Sequence, residues 1–212
     1  MWRPEFLNGF PALDGGEWLG IFASYLLGCF ATGYYLVRWR TGEDLRYLGS
    51  GNVGARNVGR VLGKWGFLLT FLGDFVKGAV PVWGAQAMGF QPLAVICAML
   101  AVVLGHNWPA QLRFHGGKGV AASFGALAVY DPTCALVICA LFLIIYAFWR
   151  RFTWSGLLAF VTAPFVMMLF KRELLPLVGI FTLTSLVLVA HWREVFIEIH
   201  RRNPRSKLKA GT

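Results

Sequence analysis

The chain has 212 residues, of which 57% are hydrophobic and 16% aromatic, with only 14% charged. That composition excludes an ordinary soluble domain, whose charged share is near a quarter. Twenty Lys and Arg against ten Asp and Glu leave a net charge of +10; in a bilayer-resident chain such an excess collects in cytoplasmic loops beside anionic headgroups, so it does not require nucleic acid as a partner.

The residues Met1 to Gly16 carry Arg3, Pro4, Glu5 and Asp14 without an apolar core and small-residue cleavage site, so no cleavable signal peptide is expected. Apolar runs then follow at Trp18–Val37, Trp65–Met88, Pro92–Gly105, Val120–Tyr130, Cys134–Trp149, Trp154–Phe170 and Leu174–Ala190. The expected fold is an all-α integral membrane protein of about seven transmembrane helices, in which residues 1–212 form one unit. Val120–Tyr130 falls short of the ~20 residues that a perpendicular span needs; it either borrows a turn from the preceding loop or crosses only part of the bilayer. The four cysteines, Cys29, Cys97, Cys134 and Cys139, lie inside apolar runs and read as small packing residues rather than as disulfide or metal ligands.

Seven crossings with the N-terminus outside put sixteen cations on the inner side. These are Arg38, Arg40, Arg46, Arg56, Arg60, Lys64, Arg113, Lys118, Arg150, Arg151, Arg193, Arg201, Arg202, Arg205, Lys207 and Lys209. Arg3, Lys171 and Arg172 remain outside, and Lys77 lies within a helix. The positive-inside bias therefore predicts an external N-terminus and a cytoplasmic C-terminus. The outer connections, Gly89-Phe90-Gln91 and Asp131-Pro132-Thr133, are minimal turns, whereas the inner ones are long and rich in glycine, so the chemistry is expected inside.

The first inner loop reads Gly49-Ser50-Gly51-Asn52-Val53-Gly54-Ala55-Arg56-Asn57-Val58-Gly59-Arg60. Glycines let backbone N–H groups approach an anion and arginines pair with its oxygens, so a phosphate site is the natural hypothesis, beside that of a solvated interfacial loop. Gly49-x-Gly51-x-x-Gly54 has the form of a dinucleotide fingerprint, but it lies between two membrane runs instead of after a strand. The second loop, Gly105 to Gly119, ends His115-Gly116-Gly117-Lys118-Gly119 at a helix start, where helix amides and an ammonium group can hold an anion. It is not a Walker A loop, because Leu112 and Gly119 stand where that motif needs Gly and Ser or Thr. His106 and His115 are either acid–base groups or structural donors, and Asp74 with Lys77 is either a packing pair or part of the chemistry. The tail Ile199-His200-Arg201-Arg202-Asn203-Pro204-Arg205 adds a third cluster, which could equally be a solvated basic tail.

Together the three loops resemble the bacterial acyl-phosphate:glycerol-3-phosphate acyltransferase family over nearly the whole chain. The resemblance is carried by Gly49-Ser50-Gly51-Asn52-x-Gly54-Ala55-x-Asn57-x-x-Arg60, by Gly105-His106, and by Phe114-x-Gly116-Gly117-Lys118-Gly119-Val120. The third family motif, His-Arg-x-Asn, best matches His200-Arg201-Arg202-Asn203; His191-Trp192-Arg193-Glu194 is a second candidate with Glu in place of Asn. Arg56 stands where the family usually has Thr.

The resemblance implies transfer of a fatty acyl group from acyl phosphate to the 1-hydroxyl of glycerol 3-phosphate, giving 1-acylglycerol 3-phosphate and phosphate, at the cytoplasmic side of a bacterial inner membrane. It assigns catalysis to Ser50, Arg60, Lys118, His200 and Asn203, and substrate phosphate binding to Gly49, Gly51, Asn52, Gly54, Asn57, His106, Gly116, Gly117 and Gly119. No metal or cofactor is expected, since the phosphate of a mixed anhydride is already a good leaving group, and the protein is expected to act as a monomer among membrane lipids. The His-x-x-x-x-Asp pattern of thioester-dependent acyltransferases is absent: Gln111, Val120, Phe196 and Arg205 occupy the fifth position after each histidine. The competing reading is a small transporter of a phosphorylated metabolite.

Overall fold

The computed structural model describes residues 12–170 and 173–202, except the side chains of 193–195 and 197–202. Its helices are α1 (Gly15–Cys29), α2 (Thr32–Thr41), α3 (Ala55–Ala87), α4 (Pro92–Asn107), α5 (Val120–Tyr130), α6 (Pro132–Trp149), α7 (Phe152–Val161), α8 (Ala163–Phe170) and α9 (Leu174–Arg202). Short 3₁₀ turns occupy Leu45–Tyr47 and Ala110–Leu112, and there is no strand among the described residues. Among the described residues, six helical stretches are long and apolar enough to span a bilayer, with Val120–Tyr130 as a shorter seventh. At about 1.5 Å per residue, that eleven-residue helix covers only about half of a hydrocarbon core.

One run that reads as continuous is broken, and another is longer than expected. The first splits at Phe30–Ala31 into α1 and α2. The break is satisfied from distant parts of the chain: Lys77 Nζ donates to the Phe30 carbonyl at 2.6 Å, and the Gln111 side-chain amide donates to the Cys29 carbonyl. Thr32 Oγ1 donates to Asp74 Oδ1 at 3.0 Å. Non-helical backbone at membrane depth requires such internal partners. The second run begins earlier than expected, because α3 starts at Ala55 and turns at Gly63, whose φ of 74° is in the left-handed region that glycine tolerates. This short first segment carries Asn57 and Arg60.

Helix α4 is the hub, in contact with α1, α3, α5 and α9. Its buried side chains, including Met99, Val102 and Val103, join Leu127 of α5, Phe160 of α7 and Leu183 of α9 in the main core. Because lipid is as apolar as the core, packing in the bilayer relies on close backbone approach through small residues. A Cβ at Gly28 or Gly105 would run into the carbonyl of Val102 or Tyr25 across the α1–α4 contact, and one at Gly78 or Gly125 into that of Ala122 or Phe75 across α3–α5. Gly125→Val is accordingly expected to cost about 1–3 kcal/mol, read as a lowered melting temperature in detergent. Gly84→Ala, where the nearest atom is the flexible Met88 methyl at 4.0 Å, should melt at or above the wild-type temperature.

A second, smaller core of Ala31, Val37, Leu45, Val53, Val58 and Leu112 lies under the two glycine-rich loops. At the opposite end of α1, Asp14 and Glu17 form a capping box, and both the backbone and side-chain amides of Gln91 donate to Glu17 at 2.8 Å. The loop end and the turn end are thus fixed separately, and the candidate chemistry is confined to the loop end.

Candidate active site

The first loop is shaped by residues that the sequence placed at the substrate. Asn57 is buried; its Oδ1 accepts from Ser50 N and its Nδ2 donates to the Leu48 carbonyl, both at 2.8 Å. Gly49 and Gly51 have φ of 57° and 73°, and Asn52 Oδ1 accepts from Gly54 N at 2.8 Å. A side chain at Gly49 would collide with Asn57. Gly49 and Gly51 therefore act as turn formers beneath the site, while Ser50, Asn52, Gly54, Asn57 and Arg60 reach the wall of a cavity.

Arg46 ties this loop to the second one. Its Nη2 and Nε bond Asp44 at 2.6 and 3.0 Å, its Nη1 donates to the Leu112 carbonyl at 3.3 Å, and its guanidinium lies 5.5 Å from the Tyr34 ring centroid. The hydrogen bonds from Arg46 hold the Asp44 carboxyl below the usual carboxylate range and raise Arg46 above its own ordinary value.

The second loop folds back onto the end of α4. Gly116 N donates to the Asn107 carbonyl at 3.2 Å and Gly117 N to the His106 carbonyl at 2.9 Å. These two amides are therefore committed within the protein. Their glycines are required by close packing: a Cβ at Gly117 would overlap the His106 ring, and one at Gly116 the His106 carbonyl. What the fold delivers to the cavity is Lys118 and Gly119, the latter at φ 77° as the N-cap of α5.

Beneath the loops lies a buried ionic cluster. Asp74 Oδ1 is 3.0 Å from Lys77 Nζ and 3.6 Å from His106 Nδ1. Asp74 and His106 face the cavity and Lys77 does not, so the pair that sequence left open between packing and chemistry holds the α1–α2 break and forms part of the cavity wall.

The cavity has a volume of about 280 Å³ and two chemically distinct parts. Ser50, Asn52, Arg56, Arg60 and Lys118 line the polar part, and Phe67, Phe71, Phe124, Phe142, Phe152 and Phe160 wall the other. The rings interlock, with Phe152 edge-on to Phe142 at 5.3 Å and to Phe67 at 6.3 Å. Arg56, which sequence did not assign, lies 5.6 Å from the Phe152 centroid and donates to Thr153 Oγ1, spanning from α3 to α7. No spacing pattern distinguished these aromatics from lipid-facing ones, because the helices that bring them together are far apart in sequence.

His191 is buried, lines the cavity, and its Nδ1 is 2.8 Å from the Val187 carbonyl. His200, the preferred third-motif histidine, falls in α9 with its side chain outside the described set, and Asn203 lies outside the described residues. His115 is exposed, with its Nδ1 2.6 Å from the Arg113 carbonyl, and is not part of the cavity wall. Among the described residues no group of three His, Cys, Asp or Glu side chains is placed to hold a metal ion.

Among the described residues the fold is thus that of an all-helical integral membrane protein with a cavity lined by both cations and aromatic rings. A model of the family described as glycerol-3-phosphate acyltransferase matches residues 18–200. Glycerol-3-phosphate acyltransferase 1 of Desulfitobacterium hafniense (strain Y51) is 41% identical over 188 residues, covering 88% of this chain and 93% of that protein. The protein of the same name from Bacillus cereus (strain ATCC 10987 / NRS 248) is 39% identical over 177 residues, covering 84% and 95%. The crystal structure of PlsY, an integral membrane glycerol 3-phosphate acyltransferase, in its glycerol 3-phosphate form, superposes with a TM-score of 0.82 at 30% identity, covering 89% of this chain and 94% of that one. The chain belongs to the glycerol-3-phosphate acyltransferase family and is an acyltransferase of the membrane-integral kind.

Proposed function

We propose that this enzyme transfers a fatty acyl group from acyl phosphate to the 1-hydroxyl of glycerol 3-phosphate, forming 1-acylglycerol 3-phosphate and inorganic phosphate, as the first step of phospholipid synthesis. The observation that carries this reading is that Arg60 and Lys118 line the same cavity as an aromatic groove. Both substrates bring a phosphate and one brings a long acyl chain, so a cationic part and an apolar part are needed together.

In the proposed reaction the glycerol oxygen attacks the acyl carbonyl carbon, the bond from that carbon to the phosphate oxygen breaks, and phosphate leaves with the electron pair. The hydroxyl proton ends on a phosphate oxygen, directly or through a side chain. Positioning and charge neutralisation carry the acceleration, with Arg60 and Lys118 holding phosphate charge and Ser50 and Asn52 orienting polar groups. His191 has the geometry of a proton carrier: with Nδ1–H donating to the Val187 carbonyl, the neutral ring has its lone pair on Nε2. His200 with Asn203 remains the motif match for orienting the glycerol hydroxyl.

The protein is further read as a monomer that works as one unit in the bacterial inner membrane, with the N-terminus outside and the glycine-rich loops in the cytoplasm. The cation asymmetry supports that orientation, sixteen against three by the topology given above. The test is to supply the purified protein with palmitoyl phosphate and palmitoyl-CoA in parallel, with labelled glycerol 3-phosphate and without added metal. Product from the acyl phosphate alone is expected; product from the CoA ester alone would refute the donor assignment.

A further inference from the structure

We infer that Gly156 is a specificity-determining residue: it forms the notch in α7 through which the acyl chain passes, and the space beside it sets the bore of the groove. The inference rests on the acyl-phosphate reading above and adds to it a determinant of acyl-chain length.

The cavity-facing residues of α7 are Phe152, Thr153, Gly156, Ala159 and Phe160, which follow helical spacing along one side. Two aromatic rings thus stand one turn above and one turn below a residue with no side chain. Phe152 is clasped at the polar end by Phe67 and Phe142. Immediately beyond it the wall opens at Gly156.

Other glycines of the helix contacts have a packing reason, since a Cβ at Gly78 or Gly125 would strike the backbone of a neighbouring helix. Gly156 has none. A Cβ built there meets no atom within 4 Å, and its φ lies outside the left-handed range, so neither space nor backbone conformation demands glycine. Glycine within a helix gives up stability relative to alanine. The empty volume it preserves belongs to the cavity, whose wall also includes Ile138, Cys139 and Leu143 of α6. Leu143 is 57% exposed, so this stretch of groove also opens toward the lipid from which an acyl chain arrives.

A large side chain at this notch blocks the groove one turn below the mouth. Long chains must pass that point, whereas short chains end near it. The phosphate contacts at Arg60 and Lys118, and the glycerol 3-phosphate site with them, lie above it and are untouched.

The experiment compares wild type, Gly156→Ala, Gly156→Leu and Gly156→Phe with palmitoyl and octanoyl phosphate, with the melting temperature in detergent as a control for folding. Gly156→Phe is expected to lower kcat/KM for palmitoyl phosphate at least about tenfold more than for octanoyl phosphate, with an unchanged KM for glycerol 3-phosphate. Gly156→Leu should show a smaller shift, which keeps the comparison open if the Phe variant does not fold, and Gly156→Ala should resemble wild type. Equal losses for both chain lengths, or no loss in a folded Phe variant, would overturn the inference while leaving the functional reading intact. A folded wild-type protein inactive with every acyl phosphate would refute that reading, and this inference with it.

Discussion

Lys118→Ala is expected to lower kcat by about a hundred- to a thousandfold while leaving insertion and melting temperature close to wild type. The expectation follows from where the second loop places this side chain. Gly116 and Gly117 bind the loop to the end of α4, and Lys118 emerges at the cavity just before α5 begins. Phosphate charge grows as the carbon–oxygen bond of the mixed anhydride breaks, so an ammonium group there stabilises the transition state more than the ground state. Lys118→Arg should retain part of the activity, since the charge remains but a planar guanidinium cannot reproduce a compact ammonium. Initial rates of phosphate release at saturating substrates check this; an Ala variant within a few-fold of wild type would remove Lys118 from the chemistry.

The second large effect is on stability. Asp74→Ala strands the Lys77 ammonium, leaving it the Phe30 carbonyl at 2.6 Å but no carboxylate, and it also takes an acceptor from Thr32. Leaving one member of a buried ion pair uncompensated costs about 3–5 kcal/mol. For a chain of this size that corresponds to a fall in melting temperature on the order of 10 °C. Combining Asp74→Asn with Lys77→Met removes both charges and should recover much of the loss. Recovery of turnover along with stability would assign the pair to holding the α1–α2 break, and recovery of stability alone would give Asp74 a role at the substrate.

Much of this architecture is legible in the sequence because the bilayer imposes it. Long apolar runs separated by Gly49–Arg60 and Gly105–Gly119 can only be helices with loops gathered at one end, and the short run Val120–Tyr130 shows its length directly. The break at Phe30–Ala31 is not legible, because the run from Trp18 to Val37 is apolar throughout and the groups that satisfy the break, Lys77, Gln111 and Asp74, lie more than forty residues away. The turn at Gly63 has a local signal only in hindsight, as one glycine among several.

The candidate site divides in the same way. Ser50, Asn52, Arg60 and Lys118 reach the cavity because motif spacing fixes loop positions. Motif spacing does not separate residues that touch a ligand from those that shape the loop, and so Gly49, Gly51, Gly116 and Gly117 read alike with them. Arg56 and the aromatic walls depend on tertiary contacts between α3, α5, α6 and α7, for which a single sequence carries no periodic signal, whereas His191 shows in the sequence only as the weaker of two matches to the third motif. Gly156 in particular looks like any small residue of a membrane helix until the emptiness beside it is seen.

The most direct test of acyl transfer as the function is a mass balance. Purified protein in sealed vesicles is given palmitoyl phosphate and labelled glycerol 3-phosphate, and lysophosphatidate and inorganic phosphate are counted together. One phosphate released for each 1-acylglycerol 3-phosphate formed is the predicted result; labelled glycerol 3-phosphate accumulating unchanged inside the vesicles, with no lysophosphatidate, would contradict it and identify a transporter.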